Sequence, residues 1–118
     1  MQIEFRTEKL RKEFEDGRAL QRERGAVQAK KIRTRLMQLE GALMLEQLRN
    51  QPGRFHPLTE NRSGCLACDL DGPYRLVFEA ANVPVPQLDV GGLDWSKVTQ
   101  VRILGVLNYH ERSKKQPV

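Results

Sequence analysis

His56 and His110 are the two imidazoles of this 118-residue chain, and imidazole is the side chain whose proton affinity lies nearest working pH. His110 stands close to the C-terminus and is the first candidate for proton transfer; without context, an isolated histidine there reads as surface decoration. Tyr109 beside it can position a base or a phosphate, or simply pack. Arg75 lies in the alternating run Tyr74 to Glu79. Its planar guanidinium fork suits a phosphate, and its plainer alternative is an ion pair with Glu79 or Asp69. Arg62, in the loop ahead of that run, offers a second phosphate clamp. Tyr74 can stack on a base, although its alternation with Leu76 and Phe78 equally describes core packing. His56 is read as ordering its loop through the backbone. Cys65-Leu66-Ala67-Cys68 has the spacing of a metal or redox pair, but residues three apart in a strand face opposite sides and cannot share an ion. No metal or cofactor is expected.

A second kind of chemistry is carried by charge alone. The net charge is +5, and it is uneven: residues 1–56 carry 13 Lys/Arg against 8 Asp/Glu, whereas 57–118 carry 7 of each. Residues 18–35 hold Arg18, Arg22, Arg24, Lys30, Lys31, Arg33 and Arg35 against the single acid Glu23. Such a run attracts polyanions through its long-range field and counterion release; the alternative is a solvated helix face. Arg22, Arg24, Lys30, Lys31 and Arg33 are the candidate contacts to a polyanion backbone.

The elements that must position these groups follow from periodicity. Ile3 and Phe5 alternate with polar neighbours, which predicts a short opening strand. Thr7 caps a helix bearing Leu10 and Phe14, interrupted near Gly17. A longer helix follows, with Ala29, Ile32, Leu36, Leu39 and Leu43 along one side. Gly41 breaks it, and Leu43, Leu45 and Leu48 belong to a short third helix stopped by Asn50, Pro52 and Gly53. In the second half, Cys65–Leu70 and Tyr74–Glu79 flank Asp71-Gly72, a two-residue hairpin signal. Residues 80–96 form a long Pro- and Gly-containing connection with Trp95, and Gln100–Leu107 is the last strand. The expectation is one α+β domain over 1–110, two or three N-terminal helices packed on one face of a small antiparallel sheet, with a polar tail at 111–118. A hydrophobic content of 39% and a charged content of 30% suit a soluble globular protein. The N-terminus lacks a signal-peptide apolar stretch and no apolar run approaches a membrane span, so the expectation is a cytoplasmic protein making no membrane contact, with reduced thiols.

Three blocks carry a resemblance: Leu48–Leu58 (LRNQPGRFHPL), Gly64–Phe78 (GCLACDLDGPYRLVF) and Val101–His110 (VRILGVLNYH). In order and spacing they resemble the HigB, or "plasmid killer", branch of the RelE/ParE toxin superfamily. The resemblance implies the same sheet-and-helices fold and a metal-free ribonuclease that cuts messenger RNA in the ribosomal decoding site. It also implies neutralisation by a helix-turn-helix, HigA-like antitoxin in a hetero-oligomer. It places His110 and Arg75 at the family's terminal histidine and hairpin arginine, and Tyr109 in the shared Tyr-His ending, with Arg62 a further candidate beside them. Thr59, Asp71 and Asn108 depart from the pattern, which carries lysine, a further base and aspartate near those places. Within the superfamily the alternative is a ParE-like inhibitor of DNA gyrase; outside it, a non-catalytic nucleic-acid- or protein-binding module.

Overall fold

The computed structural model describes residues 1–58 and 64–109. Thr59, Arg62, His110 and the tail at 111–118 lie outside the described residues. The chain opens with β1 (Gln2–Phe5), followed by α1 (Glu8–Glu15), α2 (Gly17–Arg24) and α3 (Ala26–Gly41). Thr7 caps α1 as expected, its hydroxyl accepting from the Leu10 amide at 3.1 Å. Asp16 ends α1 and starts α2, its carboxylate accepting from the amides of Arg18 and Ala19. The single long helix expected after Gly17 is two helices. Gly25 divides them at φ 82°, a left-handed conformation that a side chain resists and glycine accepts.

Helix α3 presents Ala29, Ile32 and Leu39 to the core, all fully buried. Burying Ile32 or Leu39 contributes about 2 kcal/mol each. Leu43 does not join that stripe or the next turn; it is 71% exposed, and a 3-10 turn at Leu45–Leu48 buries Leu45 and Leu48 instead. The Met1 ammonium donates to the carbonyls of Leu39, Glu40 and Ala42. A cation thus sits on the negative end of α3 and ties it to the first strand.

The remaining strands are β2 (His56–Pro57), β3 (Cys65–Asp69), β4 (Tyr74–Ala80) and β5 (Gln100–Asn108), in the sheet order β1-β5-β4-β3-β2. β2 to β5 are antiparallel to their neighbours, and β1 runs parallel to β5, with Ile3 opposite Val101. A parallel pair requires a long crossover, which the helices supply. The fold is α+β with the helices on one face, and the sheet is mixed. The hairpin lies where Asp71-Gly72 placed it, but its loop is longer. Leu70 N–H donates to Tyr74 O and Tyr74 N–H to Asp71 O, so Asp71, Gly72 and Pro73 form a three-residue connection.

Two apolar clusters mark the two faces. Leu66, Cys68, Leu76, Phe78 and Ile103 pack against the helices, whereas Ala67, Val77 and Leu107 join Leu58 on the other side. Ile103 and Leu107 are an even number of residues apart, yet they face opposite ways. A β-bulge explains it: Phe78 pairs with Ile103 but Val77 with Gly105, leaving Leu104 extra. One added residue inverts the phase of everything beyond it. The C-terminal end of β5 therefore points away from the helices.

Arg35, part of the basic run, is buried. Its Nε donates to the Asp69 carbonyl at 2.7 Å and its Nη1 to Gln38 Oε1 at 2.9 Å, fastening α3 to the end of β3. The guanidinium lies so close to Gly53 (φ 106°) that a Cβ there would stand 2.7 Å from Arg35 Nε. Gly53→Ala is therefore expected to lose about 2 kcal/mol of unfolding free energy in urea, from clash and left-handed strain together. In an Arg35→Ala background the same substitution should cost less, since only the strain remains. Equal costs in both backgrounds would contradict the packing described.

Candidate functional site

Strand alternation puts Asp69, Arg75 and Leu107 in one row on the face opposite the helices, because Arg75 is opposite both Asp69 and Leu107 in the ladder. The bulge in β5 brings Tyr109 to the same face, and the Tyr109 amide donates to Pro73 O at 3.0 Å, fastening the end of β5 to the hairpin loop. Without the added residue Tyr109 would follow the phase of Ile103 toward the helices. The Arg75 guanidinium carbon lies 4.9 Å from the centroid of the Tyr109 ring, within cation–π range.

Arg75 is held on three sides. Its side chain is only 15% exposed, Nη1 donates to Gly72 O at 2.9 Å and Tyr74 O at 2.8 Å, and Nε stands 3.0 Å from Asp69 Oδ1. The Nε–H is buried and not aligned to hydrogen-bond that oxygen, so the Asp69 contact is electrostatic. Nη2 has no partner among the described residues. Of the two ion pairs the sequence offered, Asp69 is the one formed; Glu79 pairs with Arg102 at 2.5 Å.

Arg54 completes the group, donating through Nε and an Nη to the two Asp69 oxygens at 3.2 Å each. Sequence reading missed it, since its placement depends on a left-handed backbone (φ 51°) beside Gly53. One carboxylate therefore serves two guanidinium groups, and the local charge is positive. His56 Nδ1 lies 2.6 Å from Arg54 O, and since a carbonyl only accepts, Nδ1 carries the hydrogen. The loop-ordering role expected of His56 is the one observed. Its strand partner is Ala67, so it shares the face of Arg75, and Nε2 has no hydrogen bond among the described residues.

The other predicted residues fall elsewhere. Tyr74 is half-buried on the helix side, against the main core. Arg24 pairs with Glu13 at 2.8 Å and covers the Phe14 ring. Arg22, Lys30, Lys31 and Arg33 are exposed on the helices, on the side of the sheet away from Arg75. The candidate set is thus divided between two surfaces, with Arg62 and His110 outside the described residues. Asp71 accepts from Gln28 Nε2 at 3.3 Å, which ties the hairpin loop to α3. Cys65 packs with the second apolar cluster and Cys68 in the main core, so the thiols face opposite ways. Burial pushes the Cys68 thiol up to about 12.

No protein-family model and no curated protein matches the chain. Among the described residues, no helix is long and apolar enough to cross a membrane.

The two arginines on Asp69 differ in worth. Arg54 is 59% exposed and Arg75 15%. Arg54→Gln is expected to cost under about 0.5 kcal/mol, as for a solvated pair. Arg75→Gln should cost about 1–2 kcal/mol, since it removes a largely buried guanidinium that bonds the Gly72 and Tyr74 carbonyls, faces the Asp69 carboxylate and packs on the Tyr109 ring. Urea unfolding of both variants measures the order; an equal or reversed order would contradict the bracing of Arg75.

Proposed function

We propose that the chain is a toxin of the RelE/ParE superfamily, of the HigB type, acting in the cytoplasm as a ribosome-dependent messenger-RNA endonuclease and neutralised by a helix-turn-helix antitoxin in a hetero-oligomer. The observation that carries this reading is the meeting of Arg75 and Tyr109 on one face of the sheet, 34 positions apart in sequence, with His110 the next residue in the chain. Both are residues that the family resemblance marks.

The chemistry asked of such a site is in-line attack by a ribose 2′-hydroxyl on the adjacent phosphate. The new bond is 2′-O–P and the bond broken is P–O5′. A base takes the 2′-hydroxyl proton, a cation stabilises charge on the phosphorane, and an acid returns a proton to the departing 5′-oxygen. His110 is assigned to proton transfer, Arg75 to the phosphorane and Tyr109 to positioning, with Arg62 as a second phosphate clamp. The bracing of Arg75 supports its role, because a donor fixed before substrate arrives loses no reorganisation energy in the transition state. Its remaining amino group, Nη2, is assigned to a phosphate oxygen. Thr59, in place of the family's lysine, leaves the site with fewer cations, and Arg54 is a nearby cation that compensates in part.

Expression of the chain alone should arrest growth, and co-expression of the neighbouring gene should relieve it. With programmed ribosomes in single turnover, Arg75→Ala and His110→Ala should each slow cleavage by about 10²-fold or more. Wild-type rates in both variants would sink the assignment. An inert wild type that blocks gyrase supercoiling would favour the gyrase reading, and harmless overproduction of folded protein would favour a non-catalytic module.

A further inference from the structure

Arginine in this chain is usually paired. Arg11, Arg24, Arg49, Arg54, Arg75 and Arg102 each have a carboxylate within 4.0 Å. Arg35 is buried against a carbonyl and an amide oxygen. Of the four exposed arginines that form no ion pair among the described residues, Arg6 stands apart at the end of β1, and the other three are Arg18, Arg22 and Arg33. These three line one surface groove between α2 and α3, with Asp16, Gly17 and Gln21.

Helix stability does not explain the arrangement. Arg18 and Arg22 are four apart on α2, where like charges oppose helix formation. Arg18 lies in the first turn, at the positive end of the helix dipole, where a cation is disfavoured. The one acid of the groove, Asp16, is committed to capping the amides of Arg18 and Ala19. Three guanidinium groups of like charge thus share one open groove, and an anion bound there would offset their repulsion.

We infer that this groove binds the phosphodiester backbone of a folded RNA, as a contact separate from the Arg75 face. The guanidinium fork matches two phosphate oxygens at once, and three forks from two helices suit a chain of phosphates better than one small anion. The groove belongs to the helix layer and Arg75 faces away from that layer, so a single extended strand in the reacting site does not also fill the groove. An RNA that reaches both is large and folded. The choice of RNA as the polyanion rests on the proposed RNA-directed activity; the binding itself does not require cleavage.

The test measures binding of a fluorescent 20-base-pair RNA duplex to the full chain by anisotropy across salt concentrations. Arg22→Gln with Arg33→Gln should weaken binding by about tenfold or more near physiological salt and lower the slope of log affinity against log salt by about 2, one per lost phosphate contact. Lys9→Gln with Lys12→Gln removes the same charge from α1, outside the groove, and should change affinity by less than about threefold. Glutamine is a good helix former, so both pairs should retain the wild-type thermal transition. Equal losses in the two pairs would reduce the effect to net charge and overturn the proposal, as would no loss in the first. Displacement of the duplex by poly-L-glutamate at equal charge concentration, abolished by the same two substitutions, would assign the groove to an acidic protein instead. Because the readout is binding, a chain that never cuts RNA leaves this result standing.

Discussion

Asp69 ties the molecule together. Its amide donates to Gly53 O at 2.7 Å, its carbonyl accepts from Arg35 at 2.7 Å, and its carboxylate is shared by Arg54 and Arg75. Four segments distant in sequence meet there: α3, the turn around Gly53, the hairpin, and through Arg75 the end of β5. Most of these bonds use the Asp69 backbone or half-buried groups, so they form where water competes poorly. The constraint propagates. Gly53 must be glycine because Arg35 crosses it, Arg54 turns left-handed beside it, and that turn delivers Arg54 to the carboxylate that braces Arg75.

The β-bulge at Leu104–Gly105 is the second condition, and it is geometric rather than electrostatic. A strand with unbroken alternation would send Tyr109 and Arg75 to opposite faces of the sheet. The extra residue lets Val101 and Ile103 fill the helix-side core while Leu107 and Tyr109 serve the other face. Core and candidate site are thus built from one strand, at the cost of a glycine with φ 146°.

What could be read beforehand was local. The Thr7 cap, the apolar stripe of α3, the hairpin and the last strand depend on neighbours a few residues apart, and their patterns are written in consecutive residues. Three features needed partners that no local pattern names. The parallel pairing of β1 with β5 joins residues 98 apart. Gly25 resembles Gly41 in sequence, and only its left-handed φ makes it a division between helices. Arg35 belongs by composition to the basic run, yet it serves as a buried strut because α3 turns that position inward beside Gln28 and Leu39. Of the site, Arg75 and Tyr109 were legible as separate candidates and their contact was not, while Asp69 was one of two partners considered for Arg75. Arg54 was not legible, since its role comes from backbone conformation.

Helix layer and sheet face divide the cationic groups between them, and in the proposed function the sheet face is the one that acts on a phosphodiester. The most direct measurement is end-group analysis of messenger RNA cut on ribosomes by the purified chain. In-line attack by the 2′-hydroxyl predicts a 5′-hydroxyl on one fragment and a 2′,3′-cyclic or 3′-phosphate on the other. A 5′-phosphate with a free 3′-hydroxyl would mean that water was the nucleophile, and would contradict the assignment of Arg75 and His110 to this reaction.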